Sequence, residues 1–269
     1  MSQTLASIFK RMVYSFYCSK SEASFFYEEL HFKILERYIN IFDEVIFCII
    51  IDDVNDIETI KRIEKKVISI RNKDVIFKIY ENTNYRETDV FFNEIFLKMS
   101  DLNGITFYAH SKGRGVMNNI EEVIGFITAS YYFSLEDITD VDKYSFYGSF
   151  KMLNNSPIGN IYPKYQWFYV GTFFWGDYQK IYNENKNKFP LYSSRWFNEM
   201  LPGNLYSHEE CGSFNNEYID ATVKPNDPYE LLIRTHGNNE KINDFFSFYY
   251  EIVNFLVYEK NFDLSSLCW

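Results

Sequence analysis

The continuous apolar run Val45–Ile51 constrains the fold of this chain more than any other feature. A short run of β-branched and other apolar residues is typical of a strand that is covered on both faces in a parallel sheet. Asp52-Asp53 ends the run. Because it is far shorter than the ~20 residues that a helix needs to cross a bilayer, we predict no transmembrane segment.

The first half of the chain repeats a strand and a helix. Apolar residues at helical spacing, such as Phe26, Leu30 and Ile34, alternate with segments rich in β-branched and aromatic residues. The predicted strands are Met12–Cys18, Val45–Ile51, Val75–Tyr80 and Ile105–Ala109, and the predicted helices are Ala23–Tyr38, Ile57–Ile70 and Asp89–Met99. Such repeats predict an α/β fold, with a mostly parallel central sheet and helices on both faces.

The second half changes character but shows no internal repeat. Predicted helices are Val123–Phe133, Asp177–Asn185, Ser194–Met200 and Ile242–Tyr258, predicted extended segments are Tyr144–Phe150 and Gln166–Trp175, and Asn204–Lys224 is predicted as a polar loop. Gly171 interrupts the second extended segment, which indicates a bulge or a close approach of a ligand. We therefore predict a single domain, residues 1–269.

Composition narrows the class of protein. The net charge of −10 argues against a general nucleic-acid binder but allows one polyanionic ligand in a local basic pocket. The N-terminus has no apolar secretion segment, and the four cysteines form no CxxC pair, so we expect a cytoplasmic protein with reduced thiols. The 20% aromatic content is explained more simply by A+T-rich codon usage than by carbohydrate stacking.

The segment His110-Ser111-Lys112-Gly113 follows the fourth predicted strand. In an open α/β sheet, ligands bind beyond the carboxyl ends of the strands. A lysine charge and backbone N–H groups around a glycine turn can hold a phosphate. The alternative is that Lys112 and Arg114 are solvated turn residues, and the pattern alone leaves both interpretations open.

Five segments in order carry a resemblance to a known group. They are Tyr14-Ser15-Phe16-Tyr17, Tyr85-Arg86-Glu87-Thr88-Asp89, Phe107-Tyr108-Ala109-His110-Ser111-Lys112-Gly113, Gly171-Thr172-Phe173-Phe174-Trp175 and Arg195-Trp196-Phe197-Asn198-Glu199. Together they resemble proteins assigned as glycosyltransferases in microbes, algae and large viruses, which carry a Y-x-H-[ST]-K-G strand end and a later G-[NT]-F-W-W strand. The resemblance spans Val13–Gly203, about two thirds of the chain.

This resemblance implies a GT-A fold, with a nucleotide-binding half at about 12–115, an acceptor half at about 116–215 and a closing helix at about 241–258. It implies an enzyme that uses a UDP-, GDP- or dTDP-sugar and a glycan or lipid-linked acceptor. The implied donor-binding residues are Tyr14, Tyr17, Arg86, Asp89, His110, Lys112 and Gly113. The implied acceptor-binding residues are Gly171, Thr172 and Trp175, and the implied catalytic base is Glu199.

Each role has a simpler alternative. Asp89 lies where an aspartate often caps a helix, and Trp175 fits equally well as a core residue. Glu199 could form a helix ion pair with Arg195 four residues earlier. Asp177 and Glu209 are rival candidates for the base.

The chain departs from the implied pattern in two places. The Asp-x-Asp that holds a metal in GT-A enzymes is missing where the topology would put it, and His110-Ser111-Lys112 occupies that strand end. We expect Lys112 to replace the metal, so no cofactor is required; Mn²⁺ or Mg²⁺ is the alternative, with Asp52-Asp53 or Asp140-x-Asp142 as carboxylate pairs. Phe174 also stands where the group has a second tryptophan.

The sequence bears on two other functions. A catalytically inactive nucleotide- or carbohydrate-binding module of the same fold remains open, because the missing Asp-x-Asp permits it. A Rossmann dehydrogenase is disfavoured, because no G-x-G-x-x-G follows the first strand at Cys18.

The strand-end lysine yields a direct test. We expect Lys112→Ala to weaken nucleoside-diphosphate binding by about 1.5 to 3 kcal/mol, the value of one hydrogen bond to a charged group. Titration calorimetry with the diphosphate measures the loss, and a urea melt checks that the variant is folded. Unchanged affinity in a folded variant would remove Lys112 from the site.

Overall fold

The computed structural model describes residues 8–84, 86–111, 120–136, 141–153, 167–169, 172–189, 197–220 and 239–264. All the strands in these ranges join one sheet. They are β1 (Lys10–Cys18), β2 (Glu44–Ile51), β3 (Ile76–Glu81), β4 (Ile105–His110), β5 (Phe146–Leu153), β6 (Trp167–Tyr169), β7 (Phe174–Gly176) and β8 (Gly212–Asp220).

The helices lie between these strands and after the last of them. They are α1 (Glu22–Tyr38), α2 (Ile57–Ile70), α3 (Glu87–Glu94), α4 (Ile120–Leu135), α5 (Tyr178–Asn185), α6 (Phe197–Leu205) and α7 (Asn239–Asn254), with a π-helical extension at Phe255–Glu259. Side chains of Ser21, Asp56 and Asp177 cap α1, α2 and α5 by accepting bonds from backbone N–H groups. No helix in the described ranges has the length and apolar character needed to cross a bilayer.

The strand order is β3-β2-β1-β4-β7-β5-β6, with β8 paired to β5. The first four strands are parallel to one another, whereas β7 runs antiparallel to β4 and β5. The chain moves from β1 outward through β2 to β3 and then returns to the other side of β1 as β4. The carboxyl ends of β1 and β4 therefore flank a topological switch point, which is where open α/β sheets bind ligands.

Two hydrophobic cores cover the two faces of the sheet. One face packs against α1, α2, α4 and α7, and the other packs against α3, α5 and α6. Alternate residues of β1 divide between them: Met12, Tyr14 and Phe16 lie in the first core and Val13 in the second. The predicted class, α/β with a mostly parallel sheet and helices on both faces, is confirmed.

The structure corrects several predicted elements of the second half. In the range 166–175, where one strand was predicted, β6 and β7 are separate strands, and Thr172 between them has a left-handed φ of 59°. Helix α6 continues through Pro202 to Leu205. The predicted polar loop contains β8, because its residues pair with β5.

A buried carboxylate fixes α3, which begins two residues before its predicted start. Glu94, at the end of this helix, is 3% exposed and accepts hydrogen bonds from Tyr80 (2.6 Å) and Lys98 (2.7 Å). Lys78 on β3 lies 3.2 Å away. Desolvation opposes ionisation of Glu94, but these partners outweigh it and hold the pKa of Glu94 below its usual value. The helix is thus tied to the β3 edge.

Candidate functional site

Polar side chains meet at the carboxyl ends of β1, β2 and β3. The Tyr17 hydroxyl donates to Asp52 Oδ2 at 2.8 Å, and Asn82 Nδ2 donates to Asp52 Oδ1 at 2.7 Å. The Tyr17 backbone N–H donates to Ser111 Oγ at 2.7 Å, which ties the end of β1 to the residue that follows β4. Asp52 is exposed while Tyr17 is half-buried. An open carboxylate therefore lies beside the switch point.

His110 ends β4 on the same edge and is 7% exposed. Its Nδ1 lies 4.0 Å from Glu87 Oε1, and its ring stacks on Phe173 with centroids 6.0 Å apart. Tyr108 donates to the Glu87 carbonyl oxygen at 2.7 Å. Burial, with a further contribution from the Glu87 charge, raises the pKa of Tyr108, so this phenol stays protonated as a donor. These contacts hold the first turn of α3 against β4.

Arg86 precedes this first turn and Asp89 lies within it. Arg86 is exposed and adopts a φ of 50°, a conformation that non-glycine residues rarely take. Asp89 is half-buried and accepts a hydrogen bond from the Thr83 hydroxyl. The helix starts at Glu87 with Arg86 at the cap position, so the prediction that Asp89 caps it is wrong. Both side chains lie at the carboxyl edge of the sheet.

Glu199 lies in the first turn of α6 and is half-buried. The hydroxyl of Thr172 donates to Glu199 Oε1 at 2.9 Å. Its neighbour Asn198 is fully buried and accepts at Oδ1 from the Thr88 hydroxyl, also at 2.9 Å. The start of α6 is therefore bonded both to the start of β7 and to the first turn of α3.

These bonds connect Glu199 to His110 through intermediate residues. Thr172 precedes Phe173, which stacks on His110, and Thr88 follows Glu87, whose carboxylate faces His110. Two separate chains of contacts thus connect the candidate base to the end of β4. Of the other residues predicted from sequence, Arg86 and Asp89 flank Glu87 and Thr88 in the chain. The Tyr17 backbone is bonded to Ser111, which follows His110.

Tyr14 and Trp175 lie elsewhere, inside the core. Tyr14 is 0% exposed, and its hydroxyl bonds His31 Nδ1 at 2.9 Å and the Tyr131 hydroxyl at 2.5 Å. Trp175 is 0% exposed, and its Nε1 donates to the Ser134 carbonyl at 2.7 Å. Thr172 is also 0% exposed, and its hydroxyl is hydrogen-bonded to Glu199. All three side chains are packed inside the protein, and the ligand contacts that the resemblance implies for them stay predictions.

The rival bases lie at the opposite edge of the sheet. Because β7 is antiparallel to β4 and Gly176 pairs with Thr106, Asp177 lies beside the amino end of β4. Asp177 also caps α5. Glu209 precedes β8, which starts opposite Tyr147 near the beginning of β5, so it lies at that edge too. Neither carboxylate is near the switch point.

Several predicted residues lie outside the described ranges: Lys112, Gly113, Gly171, Arg195 and Asp140. Within those ranges, no three His, Cys, Asp or Glu side chains are grouped so as to hold a metal ion. Asp53 bonds the backbone N–H of Asn55 at 2.9 Å and shapes the β2–α2 loop. Metal independence stays a prediction.

Among the residues that the structure adds to the predicted site are Glu87, Thr88 and Asn198. All three belong to the sequence segments that carry the family resemblance. Their signal was positional, since each neighbours a residue that was singled out. Periodicity could not reveal them, because Thr88 and Asn198 meet only through the packing of α3 against α6.

No family model and no curated protein matches this chain. Among solved structures, core-mannan synthase A (Ktr4) of Aspergillus fumigatus, in its Mn/GDP form, is 9% identical; the match covers 82% of this chain and 74% of that one, with a TM-score of 0.32. Residues 1–349 of TarS from S. aureus are 13% identical, covering 94% and 73%, with a TM-score of 0.33. Likenesses this weak do not establish a shared fold or activity.

Proposed function

We propose that the protein is a GT-A-type glycosyltransferase that moves a sugar from a nucleotide-sugar donor to a glycan or lipid-linked acceptor. One observation carries the proposal: the half-buried carboxylate of Glu199 is joined by two chains of contacts to the carboxyl end of β4 at the topological switch point. A carboxylate near the strand ends where open α/β sheets bind ligands can take the proton of an acceptor hydroxyl.

The donor diphosphate would lie over the ends of β1 and β4. His110 and exposed Arg86 are the described residues that can meet its charge there. Lys112 and Gly113, directly after His110 in the sequence, would add an ammonium group and backbone donors. Tyr17 and Asp89 complete the proposed donor side. Fixed positive groups of this kind stabilise the charge that develops on a departing diphosphate.

The proposed reaction is a direct displacement at the anomeric carbon. The acceptor oxygen forms a bond to that carbon, and the bond from the carbon to the donor phosphate oxygen breaks. The electron pair of the broken bond leaves with the nucleoside diphosphate, while Glu199 takes the hydroxyl proton. Positioning of the two substrates and stabilisation of the leaving group would supply the rest of the rate acceleration.

A donor panel tests the proposal and separates it from an inactive binding module. UDP-, GDP- and dTDP-sugars are first ranked by thermal shift, because a ligand at 100 times its Kd stabilises a protein by about 2.7 kcal/mol. The best donor is then incubated with candidate acceptors, and release of nucleoside diphosphate is measured. Binding without turnover on any donor favours the binding module, and no binding at all overturns both.

Metal dependence is the second test of the site. Because a lysine at the strand end can replace a divalent cation at the diphosphate, we expect transfer to persist in excess EDTA and to change little when Mg²⁺ or Mn²⁺ is restored. Initial rates of product release under the three conditions measure this. Complete loss of transfer in EDTA with full rescue by Mn²⁺ would contradict the proposal that a lysine takes the place of the metal ion. It would point to Asp52, Asp53 and Asp89 as metal ligands, since hard cations need oxygen ligands.

A further inference from the structure

We propose that Thr172 is the positioning residue that orients the carboxylate of Glu199. This inference rests on the proposed function, because it assigns the group that prepares the base of that reaction. Resemblance to a family had suggested that Thr172 contacts the acceptor. Thr172 is 0% exposed, and its hydrogen bond to Glu199 supports a different role.

The hydrogen bond from Thr172 holds one oxygen of the Glu199 carboxylate. Thr172 Oγ1 donates to Glu199 Oε1 at 2.9 Å, a normal length for a hydrogen bond from a hydroxyl to a carboxylate. A hydroxyl has one hydrogen to donate, so the bond selects one of the two carboxylate oxygens. Oε1 is thereby held by the protein, and Oε2 is the oxygen that would accept the proton of the acceptor hydroxyl.

The backbone of Thr172 adopts an uncommon conformation. Its φ of 59° is rare for a β-branched residue, and such conformations persist only where the surroundings impose them. Thr172 lies two residues before β7, whose residues are fixed by pairing with both β4 and β5. The hydroxyl is therefore held next to a paired part of the sheet.

The other end of the bond is equally fixed. Asn198, the residue before Glu199, is fully buried and bonded to Thr88 on α3. The backbone of Glu199 is therefore held through α6, and the remaining freedom is rotation of its own side chain. Thr172 restrains that rotation. A base that must meet a hydroxyl within hydrogen-bond distance loses rate when its carboxylate turns away.

The test compares two substitutions at this position. Thr172→Val keeps the β-branched shape but removes the donor, and Thr172→Ser keeps the donor. We expect Thr172→Val to lower kcat by about 10- to 100-fold while the KM for the donor stays unchanged. Thr172→Ser should recover most of kcat. A merely structural role would instead lower the unfolding midpoint of both variants without this split between kcat and KM.

A double variant completes the test. In a Glu199→Gln background the base is already absent, so adding Thr172→Val should cost little further rate if the hydroxyl acts through Glu199. If the wild type transfers sugar and Thr172→Val keeps its kcat, the positioning assignment is overturned and the proposed function stands. If the wild type turns over no donor, the proposed function is overturned and this assignment with it.

Discussion

Replacing Glu199 with glutamine should lower the rate of sugar transfer by about 10²- to 10⁴-fold, the usual contribution of a general base. Glutamine is nearly the same size and can still accept the hydrogen bond from Thr172, so the fold and the start of α6 should be preserved. It cannot take a proton. The loss should therefore appear in kcat, measured by release of nucleoside diphosphate at saturating donor and acceptor.

Glu209→Gln is the matched control for this experiment. It makes the same chemical change on an exposed carboxylate at the opposite edge of the sheet, so we expect wild-type turnover. Donor affinity should also be unchanged in Glu199→Gln, because the proposed donor contacts lie on β1, α3 and β4. If Glu199→Gln transfers sugar at the wild-type rate while Glu209→Gln does not, the base has been assigned to the wrong residue.

The parallel half of the sheet could be predicted from sequence because its signals are local and strong. The run Val45–Ile51 lies within β2, and the bounds predicted for the following helix are those observed, Ile57–Ile70. The ends of β1 and β4 also lie near their predicted positions, and His110 lies at the carboxyl edge as predicted. In such a fold, topology alone brings strand ends together.

The alternation of side chains along β1 separates two tyrosines that the family resemblance groups together. Successive residues of a strand point to opposite faces, so Tyr14 and Tyr17, three positions apart, cannot share a face. Tyr17 packs on the side of α3 and α6, whereas Tyr14 packs on the side of α1 and α4. A motif that includes both residues therefore cannot assign both to one ligand.

The antiparallel half could not be predicted in the same way. The segments β6 and β7 are only three residues long, and they become strands because each pairs with a different part of β5. Residues in β8 look like a polar loop in sequence, and only pairing with β5 makes them a strand. The bond from Thr172 to Glu199 depends on this long-range arrangement, so no local pattern signals it.

Trp175→Ala should lower the free energy of unfolding by about 3 to 5 kcal/mol, as expected for removal of a large buried aromatic side chain. The indole is 0% exposed and lies with its ring centroid 5.5 Å from Phe42 and 5.2 Å from Phe107. Its removal leaves a cavity in the core under α1 and α4, and it also leaves the Ser134 carbonyl without its indole donor. Urea unfolding followed by circular dichroism measures the loss.

This substitution also decides between the two sequence-based interpretations of the tryptophan. If Trp175 is a core residue, its replacement should lower the free energy of unfolding. If its ring stacks on the acceptor, the replacement should raise the acceptor KM and leave the unfolding midpoint unchanged. Because 3 to 5 kcal/mol is a large part of the roughly 5 to 15 kcal/mol that stabilises a typical domain, Trp175→Phe serves as the milder variant. It keeps most of the ring volume but loses the hydrogen bond to Ser134, so we expect a cost of about 1 to 3 kcal/mol and an acceptor KM close to that of the wild type. A raised acceptor KM in Trp175→Phe with unchanged stability would contradict the core assignment and return the ring to the acceptor site.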